Sequence, residues 1–317
     1  MLKYIVKKLI IGVLTLFLVA TLIFFMLRFL PKDYYFSEEE LVKLTEQQKD
    51  AVLTAAGLND PIPDQLMRFY RDIIHLDFGV SNKIQKGISV SYLIFDRMKI
   101  SLKLGIISLV ISLVLGVFIG VIQTLYKDRL GDKLGSAYVI LSNAVPTIVS
   151  FTLIMMFGTL VLKLPSMYSG RAHPFSSAIM PVICLSLTSI AGYALWTRRY
   201  MVDELNKDYI ALARMKGLSN FRIMFKHVLR NAIVPLVQFL PSSFLYTIGG
   251  SLLVEKFFSV PGMGPLLTDA IQRYDINVVQ ALVIIYAALG IVGVLLGDVL
   301  MCIVDPRITF SKKEGIR

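Results

Sequence analysis

The stretch LKLGIISLVISLVLGVFIGVIQTLY, residues 102–126, has the length and composition of a membrane-crossing helix: after Lys103 no charged residue occurs until Lys127. A bilayer core of about 30 Å is crossed by about 20 apolar residues of helix rising 1.5 Å each, and this run is long enough by itself. Stretches near 9–30, 136–162, 178–197, 232–254 and 277–303 also qualify, each bounded by charges, Pro or Gly, with 178–197 the shortest. The expected fold class is an all-α polytopic membrane protein with about six transmembrane helices. Composition agrees. The chain is 56% hydrophobic and only 17% charged, with a mean hydropathy of +0.69, whereas soluble domains run near 45–50% apolar.

Met1 to Lys8 is basic and precedes the apolar run Leu9 to Leu27, as in a signal peptide. That run exceeds the roughly 7–15 residues of a signal's apolar core and no small-x-small cleavage site follows, so a retained spanning helix over 1–30 is expected. Orientation follows from Lys and Arg, which are retained on the cytosolic side. Lys3, Lys7, Lys8, Lys127, Arg129, Lys133, the bases from Arg198 to Arg230, and Arg307, Lys312, Lys313 and Arg317 fall on one side, against Lys163, Arg171, Lys256 and Arg273 in the short loops opposite. Both termini are therefore expected in the cytosol, and the net charge of +11 reads as topology rather than nucleic-acid binding.

Residues 31–98 then form an external cap. Ser37 to Ala56 is polar and helix-compatible, with Glu38, Glu39 and Glu40 where acids favour a helix start. Asn59-Asp60-Pro61-Ile62-Pro63 reads as a turn. Leu66, Phe69, Tyr70, Ile73 and Ile74 recur at helical spacing and end before Gly79, an amphipathic piece expected to pack on the membrane domain. The division is thus a first helix (1–30), a cap (31–98), a five-helix core (99–307) and a cytosolic tail (308–317).

The loop 198–231 is the only large cytosolic excursion and has room for two short helices. Met201/Val202, Leu205, Tyr209 and Leu212 make one amphipathic stripe. Gly217 provides a stop, and Ser219 a cap for a second helix with Phe221, Met224, Phe225 and Val228. Such an elbow suits a mechanical role in which a protein partner holds it and drags the flanking spans. A basic loop lying on anionic headgroups explains the same charge, and residue chemistry alone does not separate the two.

The stretch reads Asp208-Tyr209-Ile210-x-x-Ala213-Arg214-x-Lys216-Gly217-Leu218, then His227-x-x-Arg230-Asn231-Ala232-x-x-Pro235. It resembles the cytosolic loop of permease subunits in binding-protein-dependent ABC importers of the oligopeptide/dipeptide/nickel family. Gly57-Leu58-x-x-Pro61-x-Pro63-x-Gln65 and Asp77-Phe78-Gly79-x-Ser81 are similar to that family's external region. Glu255-x-Phe257, Pro261-Gly262-Met263-Gly264, Ala270-Ile271 and Asp275 are similar to its last external loop, and Asp298 with Asp305-Pro306-Arg307 to its ending. The chain departs from the pattern at Pro31-Lys32-Asp33-Tyr34, Met215 and Met301, and Ala211 and Leu212 stand where the broader permease loop begins Glu-Ala.

The resemblance implies a type I ABC importer (MetI-like) permease fold with an external insertion between helices 1 and 2, in a bacterial cytoplasmic membrane. It implies four kinds of partner: lipid, a second homologous permease subunit in a heterodimer, two cytosolic ATPases carrying ATP and Mg, and an external solute-binding protein. It places ATPase coupling at Tyr209, Ala213, Arg214, Lys216, Gly217 and Leu218, with Ala213 and Gly217 allowing close approach to the ATPase. Glu255, Pro261, Gly262 and Gly264 belong to the external loop. Peptide is the favoured solute, with nickel or another small solute as the alternative.

No Gly-Lys pair occurs anywhere, so the phosphate-cradling Gly-x-x-x-x-Gly-Lys-Ser/Thr loop is missing and no nucleotide or other cofactor is expected on this chain. No catalytic residue and no metal site is expected: His75, His173 and His227 fall in separate loops, and Cys184 and Cys302 sit in apolar runs as small hydrophobes. Candidate pathway residues are Ser142, Asn143 and Pro146 in the third span and Gln238, Ser242 and Ser243 in the fifth. Helix–helix hydrogen bonding or, for Pro146 and Pro241, a simple kink would equally explain them. Asp298 fits pairing with a cytosolic Lys or Arg better than proton relay. A secondary transporter would call for an internal repeat, an intramembrane enzyme for a nucleophile and base at matching depth, and a plain anchor would need no elbow.

Overall fold

The computed structural model describes residues 2–36, 38–170, 172–249 and 251–304. Ser37, Arg171, the Asp305-Pro306-Arg307 ending and the tail 308–317 lie outside these residues, as do the side chains of Lys3, Tyr34, Glu38, Glu39 and Cys302. The described chain is helical throughout, apart from turns, loops and one isolated bridge between Val80 and Ser89. α1 spans Leu2–Arg28, α2 Glu38–Lys43, α3 Glu46–Ala55, α4 Ile62–Ile74 and α5 Val90–Leu125. α6 spans Leu130–Ala144, α7 Thr147–Leu160, α8 Ser176–Leu205 and α9 Asp208–Met215. α10 (Asn220–Arg222) runs through a π-helical stretch, Ile223–Leu229, into α11 (Arg230–Gly249). α12 (Leu252–Phe257), α13 (Met263–Gln272) and α14 (Ile276–Val304) follow.

Five helical runs are long and apolar enough to cross a membrane, and α6 with α7 makes a sixth if that bent pair is one span. The stretch expected at 136–162 is therefore not straight. It bends by 109° at Val145-Pro146, because proline's ring drives the preceding residue out of the helical region; Val145 is extended (φ −78°, ψ 128°). The 178–197 stretch, expected to be the shortest, lies within the 30-residue α8, which tolerates Pro181 in its interior. α5 begins at Val90 and runs 36 residues, about 54 Å at helical rise. The cap–core boundary expected at 98/99 thus falls inside a helix, whose first three turns project beyond the apolar run.

α5 and α8 run parallel and form the central seam. Ser101, Gly105, Ser108, Ser112, Gly116, Gly120 and Thr124 recur every three or four residues along α5. In lipid such small residues drive association, because backbones can approach where apolar burial gives no net gain. A Cβ on Gly116 would sit 2.4 Å from Cβ of Tyr193, and one on Gly120 2.6 Å from Cβ of Thr197. The hydroxyl of Ser186 donates to that of Ser108 at 3.1 Å across the same seam.

α11 runs antiparallel to both neighbours. Thr247 closes on Gly105 of α5, while Ser242 and Gln238 meet Gly293 and Gly297 of α14. α1 lies antiparallel along α14, with Gly12 against Ile291 and Lys8 in an ion pair with Asp298. We call the end where α1 starts and α14 stops proximal, and the other distal.

At the distal end α4 packs on α1, as the amphipathic pattern predicts. Tyr70 stacks on Phe17 with ring centroids 4.8 Å apart, and Phe69 meets Phe24 at 5.3 Å. The turn before α4 is tied by buried Gln65, which donates to the carbonyls of Asp60 (2.7 Å) and Leu58 (3.2 Å). Thr45 starts α3 with a reciprocal capping box to Gln48.

Candidate functional site: a proximal elbow and a cavity with a closed distal neck

The elbow forms, with one correction to its first arm. Met201 and Leu205 belong to the end of α8, and the chain breaks at Asn206-Lys207 before α9, so Tyr209 and Leu212 lie on a separate helix. α9 stops as expected. Gly217 takes φ +73° with open space where a Cβ would be, so its backbone conformation, not crowding, calls for glycine. The amide of Leu218 donates to the carbonyl of Ala213 (3.3 Å) and that of Gly217 to Arg214 (2.9 Å), satisfying carbonyls left over at the helix end. The Ser219 hydroxyl then accepts from the Arg222 amide at 3.4 Å and caps the second arm.

Much of the elbow's apolar stripe faces its own bundle. Met201, Ile210, Ala213, Ile223, Met224 and Val228 are buried in one cluster with Val121 of α5. Ala213, expected to face an ATPase, is thus a packing residue of the elbow's root. Leu212, Met215, Phe221 and Phe225 remain exposed beside Arg214, Lys216 and Gly217, with Leu218 half-buried. The rings of Phe221 and Phe225 lie 4.5 Å apart.

A polar knot that the sequence reading missed clamps this root. Buried Glu204 accepts from the Tyr209 hydroxyl, from Nδ2 of Asn231 at 2.9 Å and from Nζ of Lys207 at 2.5 Å. The same Asn231 nitrogen reaches the Tyr209 oxygen at 2.9 Å. Burial and the adjoining Glu204 carboxylate push the Tyr209 phenol up to about 12, so it stays a neutral donor. The signal was available: Glu204 falls three residues after Met201, on the buried face. Next to the knot, Arg198 grips buried Asp132 of α6 through Nε (2.6 Å) and Nη2 (2.7 Å), a bidentate fork.

A cavity of about 580 Å³ opens between α5, α8 and α11. Its wall includes Ser101, Ser108, Ser189, Tyr193, Trp196, Ser243, Thr247 and Glu255. Of the six expected pathway residues only Ser243 lines it, where its hydroxyl accepts from Tyr193 at 3.2 Å. Gln238 instead donates to Asp298 at 3.3 Å and Ser242 faces Gly293, so helix–helix contact explains both. Ser142, Asn143 and Pro146 sit at the α6–α7 bend; Asn143 donates to the Val139 carbonyl of its own helix at 2.7 Å.

The distal neck is built from the external-loop residues. Glu255 of α12 accepts from the Ser101 hydroxyl at 2.6 Å and the Gly264 amide at 2.9 Å, and Ser101 in turn accepts from the Met263 amide at 2.8 Å. A Cβ on Gly262 would lie 2.4 Å from the Glu255 carboxylate, which is why glycine stands there. Further out, Asp275 joins two distant segments. One oxygen accepts from the Ser81 hydroxyl (2.5 Å) and from the amides of Lys83 and Ile84 (3.0 Å each), and the other from the Asn82 amide at 3.3 Å. Among the described residues no group of three or more His, Cys, Asp or Glu is placed to hold a metal ion.

Two family models match the chain. The binding-protein-dependent transport system inner membrane component covers residues 112–310, and the N-terminal membrane component of such systems covers 1–104. The chain is 36% identical over 308 residues to the dipeptide transport system permease protein DppB of Lactococcus lactis subsp. cremoris, spanning 97% of this chain and 99% of that one. It is 32% identical over 312 residues to the oligopeptide transport system permease protein OppB of Escherichia coli K12, spanning 98% and 100%. It is 31% identical over 316 residues to the probable peptide ABC transporter permease protein y4tP of Sinorhizobium fredii, spanning 97% and 99%. The chain therefore belongs to the family of inner-membrane components of binding-protein-dependent transport systems, and it is an ABC importer permease subunit with the MetI-like fold rather than an enzyme.

Proposed function

We propose that this subunit forms half of a translocation pathway for peptides and is driven through its proximal elbow by cytosolic ATPases. The peptide reading rests on similarity to permeases named for dipeptide and oligopeptide transport. The orientation rests on Lys and Arg gathered at the proximal end, which puts both termini and the elbow in the cytosol and residues 31–98 outside as a cap. The partners are a second homologous permease, two ATPases that carry the ATP and Mg, and an external solute-binding protein.

The observation that carries the mechanism is the continuity of the elbow with the cavity wall. α8 runs unbroken from Ser189 and Trp196 on the cavity to Glu204 in the knot, and the second arm runs without a break from Asn220 to Ser243. Leu212, Met215, Phe221 and Phe225, flanked by Arg214 and Lys216, offer the ATPase an apolar patch with a basic rim. Tyr209, Ala213, Gly217 and Leu218 set its shape. A pull on the patch is transmitted to both helices because the Glu204 knot leaves no slack between them. Energy enters as a difference in docking between two ATPase states, as any coupled switch requires.

The test is Gly217→Asp in the complete transporter, read by co-purification of the ATPase subunits and by uptake of labelled peptide beside nickel in a strain deleted for this gene. The expected outcome is normal membrane insertion with lost ATPase association or lost uptake, and peptide rather than nickel as the wild-type solute. Unaltered uptake and ATPase activity would remove the elbow's assigned role. A cysteine introduced at Met215 and labelled by an impermeant reagent on intact cells would overturn the orientation.

A further inference from the structure

We propose that Glu255 is a subsite for a cationic group of the transported solute, the free α-ammonium of a peptide, at the distal neck of the cavity. This rests on the peptide reading above and adds to it the residue that recognises one end of the chain. Among the described residues lining the cavity Glu255 is the one carboxylate, and no Lys or Arg accompanies it. The remaining wall is apolar or bears hydroxyls, so this acid is the one group there that offers a carboxylate to a cation.

Glu255 also stands between two spaces. It lines the central cavity and, on its other flank, a smaller distal pocket of about 280 Å³ with Arg97, Pro261 and Asp269. A solute passing from the distal face into the cavity crosses the wall this side chain holds. The residue is 2% exposed, and its bonds come from neutral donors, the Ser101 hydroxyl and the amides of Gly264 and Ser251. No ion pair to it forms among the described residues; Arg97, the nearby base, donates to the Pro261 carbonyl at 3.3 Å instead. A carboxylate has room for about four hydrogen bonds, so a place remains beside the three neutral donors, and an ammonium arriving there supplies the counterion that an ionised carboxylate at this depth otherwise lacks.

Arrival of that group also bears on the wall. An ammonium that displaces the Ser101 hydroxyl and the Gly264 amide from Glu255 releases the start of α13, since Met263 and Gly264 are tied to this pair. Recognition and opening of the neck then share the same bonds.

The experiment compares a tripeptide having a free amino terminus with its N-acetylated form, at concentrations that saturate the binding protein, using the complete transporter in proteoliposomes. Glu255→Gln keeps the shape and loses the charge. Uptake of the free-amine peptide is expected to fall at least tenfold while that of the acetylated peptide changes less than threefold. Equal losses for both peptides, or no loss for either, would overturn the subsite and leave the peptide reading standing. A wild-type transporter that imports neither peptide would instead overturn the peptide reading, and the subsite with it.

Discussion

At the proximal end three buried carboxylates meet cations: Asp132 with Arg198, Glu204 with Lys207 and Asp298 with Lys8. At the distal end two buried carboxylates meet hydroxyls and backbone amides: Glu255 with Ser101 and Gly264, and Asp275 with Ser81 and the amides of residues 82–84. The first arrangement concentrates its energy in charge, and the Asp132–Arg198 and Asp298–Lys8 pairs tie different helices, so it resists motion at the elbow's root. The second organises loops through neutral donors to a carboxylate, each bond worth about 1.5–3 kcal/mol, with no counterion held in place. Under the function proposed above, the stiff end takes the ATPase's pull and the end without a held counterion meets the solute.

Breaking the proximal arrangement should have the largest effect. In Asp132→Asn the new amide nitrogen must face a donor, because both oxygens already accept from Arg198. A loss of about 3 kcal/mol is expected, the lower part of the range for removing one side of a buried pair, since the Arg198 side chain is 29% exposed. Thermal unfolding of the detergent-solubilised subunit measures it. The distal counterpart comes next. In Asp275→Asn the side-chain oxygen can keep the Ser81, Lys83 and Ile84 bonds while the new amide nitrogen faces only the Asn82 amide, whose contact is the long one at 3.3 Å, so a loss of about 1.5 kcal/mol is expected. Measured by the same unfolding transition, a loss equal to that of Asp132→Asn would erase the distinction between the two ends.

The elbow's turn is expected to be mildest. Gly217→Ala meets no atom within 4 Å but forces a Cβ into the left-handed region, for about 1 kcal/mol, while Gly217→Asn should cost less because asparagine tolerates that region. If both cost nothing, the proximal end owes its rigidity to charge alone.

The sequence made legible whatever depends on neighbours within a few residues. The apolar runs marked the spans, Gly217 and Ser219 marked the stop and the cap, and Phe69 and Tyr70 marked the face of α4. It did not foresee that α5 extends back to Val90, because Asp96, Arg97 and Lys99 interrupt the apolar run, yet backbone hydrogen bonding needs no apolar side chains. It could not orient Ala213 inward, or separate Ser243 on the cavity from Gln238 and Ser242 on α14. A polar residue in a span looks the same whichever neighbour satisfies it. The junction of Ser81 with Asp275 was hidden for a related reason: both segments were noticed, but nothing in their spacing says they touch.

The wide-turn stretch Ile223–Leu229 carries one further implication. A π-type segment holds one residue more than the α-helix it interrupts, and one residue of α-helix corresponds to about 100° of azimuth. Drawing that surplus residue out of the coil, or feeding it back, would rotate Ser243 and its neighbours about their own axis like a key in a lock, with the rod itself never snapping.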